Sequence, residues 1–182
     1  MRPCFGEAPV AEGSFRPPGP ARGRPLRIAI SGHRGLPSHT ATLVEDALRR
    51  TLAEHAPQVR GVSCLADGAD QIFARVVLAL GGTLEAVVCS ASYRDDLPVD
   101  THDEYDMFMS AAEEIHRLRY AESSSESHME GSRVMLDLAE ELYAVWDGKP
   151  ARGYGGTADV VAEARERGIK VRVIWPEGSS RE

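Results

Sequence analysis

From Leu26 onward, short apolar runs alternate with segments in which apolar residues return every three or four positions. The runs Leu26–Ile30, Val59–Leu65, Leu84–Cys89, Leu142–Trp146 and Val171–Trp175 are brief and rich in β-branched residues, as buried strands are. Residues 116–120 predict a further short strand. Between them, Leu43, Val44, Ala47, Leu48 and Leu52 share one helical face, as do Ile72, Phe73, Val76, Val77 and Leu80. Helices are also predicted over 103–115, over 129–140 with Val134, Met135 and Leu138 inward, and over 157–167. Ser38 is a candidate cap for the first helix, with Thr42 and Glu45 at capping-box spacing just after it. Residues 91–102 read as a loop and 123–127 as a polar linker. Strand and helix in alternation predict an α/β fold: a three-layer, Rossmann-like domain with a mostly parallel sheet of about five to seven strands.

Composition divides the chain. Residues 1–24 hold five prolines, at 3, 9, 17, 18 and 20, with glycines and arginines. Such a segment cannot bury enough apolar surface to fold, so a flexible tail is expected there. One domain is expected over 25–177, with a C-terminal end over 178–182 and fraying from Pro176 to Glu182. The net charge of −7 disfavours a protein whose main task is gripping a nucleic-acid backbone. It does not disfavour a small anionic ligand, which needs only a few local donors. Cys4, Cys64 and Cys89 lack metal-type spacing, and Cys64 and Cys89 lie in apolar runs. Buried free thiols fit a reducing, cytoplasmic setting. There is no apolar h-region of a secretory signal and no apolar stretch of membrane-spanning length.

Three strand-to-helix turns carry the candidate chemistry. Ser31-Gly32-His33-Arg34-Gly35 follows the first strand, Asp67-Gly68-Ala69-Asp70 opens the second helix, and Gly153-Tyr154-Gly155-Gly156-Thr157 precedes the last. In a parallel sheet all three open on the same edge, outside the carboxyl ends of the strands, where ligands bind. Glycines let a ligand approach the backbone. Arg34 offers a planar fork to a phosphate, and Thr157 is a candidate N-cap on a helix whose free N–H groups suit an anion. Each turn alone is equally well a structural turn; together they point to a nucleotide or phosphate. No G-x-x-x-x-G-K-[ST] is present, and no G-x-G-x-x-G follows the first strand. The acidic stretch 95–106 is by default a solvated surface loop, with Mg²⁺ held through phosphate oxygens as the alternative. No protein-bound metal or other cofactor is expected.

The ordered set Ser31-Gly32-His33-Arg34-Gly35, Asp67-Gly68-Ala69-Asp70 and Gly155-Gly156-Thr157 resembles the SLOG superfamily over about residues 26–176. That group includes the Lonely Guy proteins and the DNA-processing DprA family. The resemblance implies a Rossmann-like domain binding nucleotides or their derivatives at the strand ends. Lonely Guy enzymes cleave the N-glycosidic bond of nucleoside 5′-monophosphates and carry a late P-G-G-x-G-T-x-x-E motif. Aligned on Thr157, Gly153 and Gly156 fall on two of its glycines, Tyr154 replaces another, and Val160 stands where the catalytic glutamate would be. Arg133 lies near that family's substrate arginine, and Asp147 and Asp159 are the nearby candidate carboxylates. By analogy the resemblance also implies a homodimer.

The expected function is therefore binding of a nucleotide or nucleotide-sugar derivative by a sensing or regulatory module. Ser31, Gly32, His33, Arg34, Gly35, Gly68, Asp70, Gly155, Gly156 and Thr157 form the candidate site. The alternative is a phosphoribohydrolase using Arg133 with Asp147 or Asp159. A DprA-like single-strand DNA binder ranks third.

Overall fold

The computed structural model describes residues 23–181. The tail expected over 1–24 lies almost wholly outside the described residues. The chain runs β1 (Leu26–Gly32), α1 (Ser38–Ala53), β2 (Val59–Ser63), α2 (Ala69–Ala79), β3 (Thr83–Val88), a 3₁₀ turn (Val99–Thr101), α3 (His102–Ala111), β4 (Glu114–Arg117), α4 (Ser125–Leu138), β5 (Glu141–Val145), α5 (Thr157–Glu166) and β6 (Lys170–Val173). The six strands are all parallel, in the order β4-β3-β2-β1-β5-β6.

The first three crossovers step outward from β1, and the fourth returns to its other side. Right-handed crossovers must then place the earlier helices on one face and the later ones on the other. The packing agrees: α1 lies on α2 and α2 touches α3, whereas α4 packs on α5. The strands of the middle are covered twice, so they read as continuous apolar runs. Ile28, Ala29 and Ile30 of β1 and Leu142, Tyr143, Ala144 and Val145 of β5 have no exposed surface. The strand order reverses between β1 and β5, which leaves a crevice beyond their carboxyl ends.

Several boundaries differ from expectation, each for a local reason. The helix predicted over 103–115 stops at Ala111, because Ala112 is extended and Glu113 donates its N–H to Leu84 O. The strand begins at Glu114, not at 116, and pairs Glu114 with Glu85. As an exposed edge strand it lacks the apolar signature. Ser38 does not cap α1: Pro37 is the capping residue, and the Thr42 hydroxyl donates back to Ser38 O inside the helix. The predicted linker 123–127 contains the start of α4. There Ser124 and Ser127 form a reciprocal capping box, with each side chain accepting the other's N–H. The 178–182 end does not fray at residues 178–181: the buried Thr40 hydroxyl donates to Ser180 O and accepts Ser180 N–H, both at 2.9 Å. No helix among the described residues is long and apolar enough to cross a membrane.

Candidate functional site

A cleft of about 610 Å³ opens at the switch point, walled by residues 31–35, 146, 149–158, Asp67, His128 and Arg181. Its first wall is the loop after β1. His33 N–H donates to Val145 O at 3.2 Å, continuing the β1–β5 pairing beyond the strand. Gly32 is required there: a Cβ would lie 2.4 Å from Ala69 Cβ and 2.8 Å from Val145 Cβ. The helix α2 and the strand β5 both close on this point, and neither neighbour is a flexible side-chain end.

The loop before α2 braces the first. Asp67 accepts from Arg34 Nε at 2.5 Å and from Gly35 N–H at 3.1 Å. Gly68 has φ +85°, and a Cβ on it would sit 2.7 Å from His33 O. Ala69 N–H donates to that same carbonyl at 3.2 Å. Beneath lies Asp70, 6% exposed, which accepts from the Ser63 hydroxyl at 3.2 Å and from Ala66 N–H at 3.4 Å. Burial pushes its carboxyl up to about 7 against those two hydrogen bonds. Asp70 does not reach the cleft; it sits under the loop that does.

The opposite wall is the segment between β5 and α5. Trp146 Nε1 donates to Lys149 O at 2.7 Å, which folds the segment back on itself. Asp147 Oδ1 accepts Lys149 N–H at 3.1 Å and lies 3.3 Å from His33 Nε2, and Arg181 Nε stands 3.1 Å from Asp147 Oδ2. Burial pushes the Asp147 carboxyl up, but the Lys149 amide, Arg181 and His33 together outweigh it and hold the pKa below the usual range. Burial lowers the pKa of His33, outweighing the Asp147 carboxylate beside it, and burial lowers that of His128, so both rings are harder to protonate than a free imidazole. His33 also meets the edge of Trp175, with ring centroids 5.4 Å apart.

Thr157 is the first residue of α5, not its cap; Gly156 takes that place. Gly156, Thr157 and Ala158 line the cleft, so the positive end of α5 faces it. Asp159 accepts Gly155 N–H at 2.9 Å and thereby holds the glycine turn. Val160 is 1% exposed and belongs to the core.

The walls carry four cationic side chains, Arg34, Lys149, Arg152 and Arg181, against the lining carboxylate of Asp67, which faces Arg34, and that of Asp147 just behind the wall, which faces Arg181 and Lys149. This surplus stands in a chain of net charge −7. Ser31, Gly32, His33, Arg34, Gly35, Gly155, Gly156 and Thr157 all line the cleft, whereas Gly68, Asp70, Asp147, Asp159 and Arg133 do not. Arg133 is turned towards α5. Its Nε donates to both oxygens of Glu163 at 3.2 Å, and its other nitrogens reach Glu130 and the Tyr154 hydroxyl at 3.4 Å. In the acidic stretch, Asp106 is held by Arg94 through hydrogen bonds of 2.6 and 2.7 Å. Sequence reasoning missed His128, Lys149, Arg152 and Arg181 as wall residues. The first comes from α4 and the last from the folded-back end, so only Lys149 and Arg152, beside the glycine turn, had a local signal.

No protein-family model matches the chain, and no curated protein matches it in sequence. Its fold matches solved structures. DNA processing protein A from Streptococcus pneumoniae superposes with a TM-score of 0.63 at 19% identity, over 82% of this chain and 50% of that one. DNA processing protein A from Helicobacter pylori, also at TM-score 0.63 and 19% identity, is matched over 86% of this chain and 69% of its own. The Moco carrier protein from Chlamydomonas reinhardtii gives 0.52 at 16% identity, over 83% and 76%. The chain thus spans only half the length of the pneumococcal protein. At such identities the likeness is one of fold: the chain has the α/β architecture of DNA processing protein A and the Moco carrier protein, the Rossmann-like fold that its resemblance to the SLOG superfamily implied.

Proposed function

We propose that the protein binds a phosphorylated, nucleotide-sized molecule in the cleft between β1 and β5, as a sensing or regulatory module. The observation that carries this is the cationic surplus of the cleft, set against the N-terminus of α5 in an otherwise acidic chain. Arg34, Lys149, Arg152 and Arg181 supply charge, and the amides of the α5 turn supply directed donors. A cleft of about 610 Å³ is within the range of small-molecule sites. The Moco carrier protein, similar in fold, bears a small-molecule cargo in its name, which agrees with a binding role.

Hydrolysis of a glycosidic bond has weaker support. Its oxocarbenium-like transition state needs a carboxylate beside the sugar. Asp147 is held by His33, Lys149 and Arg181, and Asp159 by the Gly155 amide. Asp67, the one carboxylate in the wall, is engaged by Arg34 and Gly35.

The test is a thermal-shift and calorimetric screen with AMP, GMP, CMP, UMP and inorganic phosphate, with chromatography for released base and a dT oligonucleotide in parallel. A phosphorylated compound is expected to raise the melting temperature. Arg181→Gln should weaken its binding by about tenfold. Absence of stabilisation by every phosphorylated compound overturns the reading. Release of free base would put the hydrolase first, and salt-sensitive binding of the oligonucleotide without any mononucleotide binding would put single-strand recognition first.

A further inference from the structure

The cleft has a neighbour of different chemistry. A second hollow of about 330 Å³ lies on the far side of the Arg34–Asp67 pair and shares Gly35 and Asp67 with the first. Its floor is apolar, formed by Leu36, Ala41 and Ile72, with Pro98 at its side. Its rim carries Asp100 and Glu104, and its one cation, Arg75, is already held by Glu104 at 2.7 and 2.9 Å and by Glu45 at 3.0 Å. The first hollow has more cations than carboxylates in its wall; the second has three carboxylates, Asp67, Asp100 and Glu104, against Arg75.

The negative balance of the second hollow disfavours a phosphate there. A neutral group rich in hydroxyls suits it, since carboxylates accept O–H donors and an apolar floor takes the C–H face of a sugar ring. What separates them is polar: Arg34 is exposed and paired with the largely buried Asp67. The positions around it are fixed from below by Gly68 and by the 3.2 Å bond from Ala69 N–H to His33 O. Gln71, buried at the base of the second hollow, donates to Leu65 O and Thr101 O at 3.3 and 3.4 Å and so ties its two walls together.

We infer that the two hollows form one site for a two-part ligand: a nucleotide whose phosphates lie in the cationic cleft and whose further, hydroxyl-rich group crosses Arg34 into the acidic hollow. The ligand class is a nucleoside diphosphate sugar, not a mononucleotide. This rests on the phosphate-binding function proposed above and adds the subsite that distinguishes the two classes.

Calorimetry on the wild-type protein would compare each mononucleotide with its own diphosphate sugar, AMP with ADP-ribose and UMP with UDP-glucose. For the base that binds, the diphosphate sugar is expected to bind at least about tenfold tighter. Leu36→Trp fills the acidic hollow and should bring the ratio of the two affinities to about one. Ala41→Phe does the same from the first turn of α1, and serves if the tryptophan variant unfolds early. Equal affinity of the two ligand classes in the wild-type protein, or a ratio untouched by both variants, overturns the inference and leaves phosphate binding standing. Binding by neither class overturns both.

Discussion

Two clusters of charged side chains, one at the β3–β4 edge and one at the switch-point cleft, behave oppositely. On the β3–β4 side of the sheet, Glu85 is 1% exposed and accepts from His116 Nε2 at 2.7 Å. Arg27 and Arg60 stand 3.7 and 3.9 Å from its other oxygen. Arg60 is in turn paired with Glu113 and Glu114. Ligand atoms of Glu85, Glu114 and His116 lie within 4.8 Å of one another, a spacing that would suit a cation, yet two arginines already face the buried carboxylate. This cluster is paired within itself. In the switch-point cleft the balance is one-sided: Arg34 faces Asp67, and Arg181 and Lys149 both face Asp147, so the cations of the wall outnumber the carboxylates beside them, next to a helix N-terminus. Charge density alone does not mark a site; a surplus of one sign on a concave surface does.

The comparison can be broken by substitution. The largest effect is expected at Glu85. Glu85→Ala leaves Arg27, Arg60 and His116 without their shared partner, and should cost about 2–3 kcal/mol in urea unfolding while leaving the stabilisation by ligand intact. Loss of ligand binding in that variant would show that the two clusters are coupled. Gly32→Ala should cost about 2 kcal/mol and also weaken ligand binding, because the added Cβ forces α2 and β5 apart under the cleft. Asp159→Ala should cost only about 1 kcal/mol by releasing the Gly155 amide, and should loosen ligand binding without abolishing it.

A further effect depends on pH. The folded-state pKa of Asp70, about 7, lies above its ordinary value of 3.8. Between those values the folded protein keeps a proton that the unfolded chain has lost. The contribution is present in full below about pH 4 and is lost as pH rises towards 7. Asp70→Asn should therefore raise the melting temperature relative to wild type by a few degrees at pH 8 and by less at pH 4. A constant difference across that range would mean that Asp70 ionises normally in the folded protein.

The strands and most helices were legible because their burial is two-sided or periodic: β5 is wholly buried and reads as an unbroken apolar run, Leu142 to Val145. The edge strand β4 was misplaced by two residues because Glu114, Ile115 and His116 alternate in a pattern that solvent does not constrain. The glycine turns of the cleft were legible for a related reason, since backbone approaching backbone excludes a Cβ whatever lies elsewhere. That Arg133 pairs with Glu163 on α5 and does not line the cleft was not legible, because a helix position says nothing of the neighbour across the groove.

By itself, the sequence determined the parallel α/β architecture, the edge on which the loops gather and the residues of the β1 and α5 turns. Those features follow from local periodicity and from steric limits on short turns. Only the tertiary structure decided that Arg181 folds back into the cleft, that Arg133 and Asp159 are spent on neighbouring side chains and amides, and that an acidic hollow adjoins the cationic one. Each depends on contacts between segments far apart in the chain, and such contacts leave no periodic trace in it.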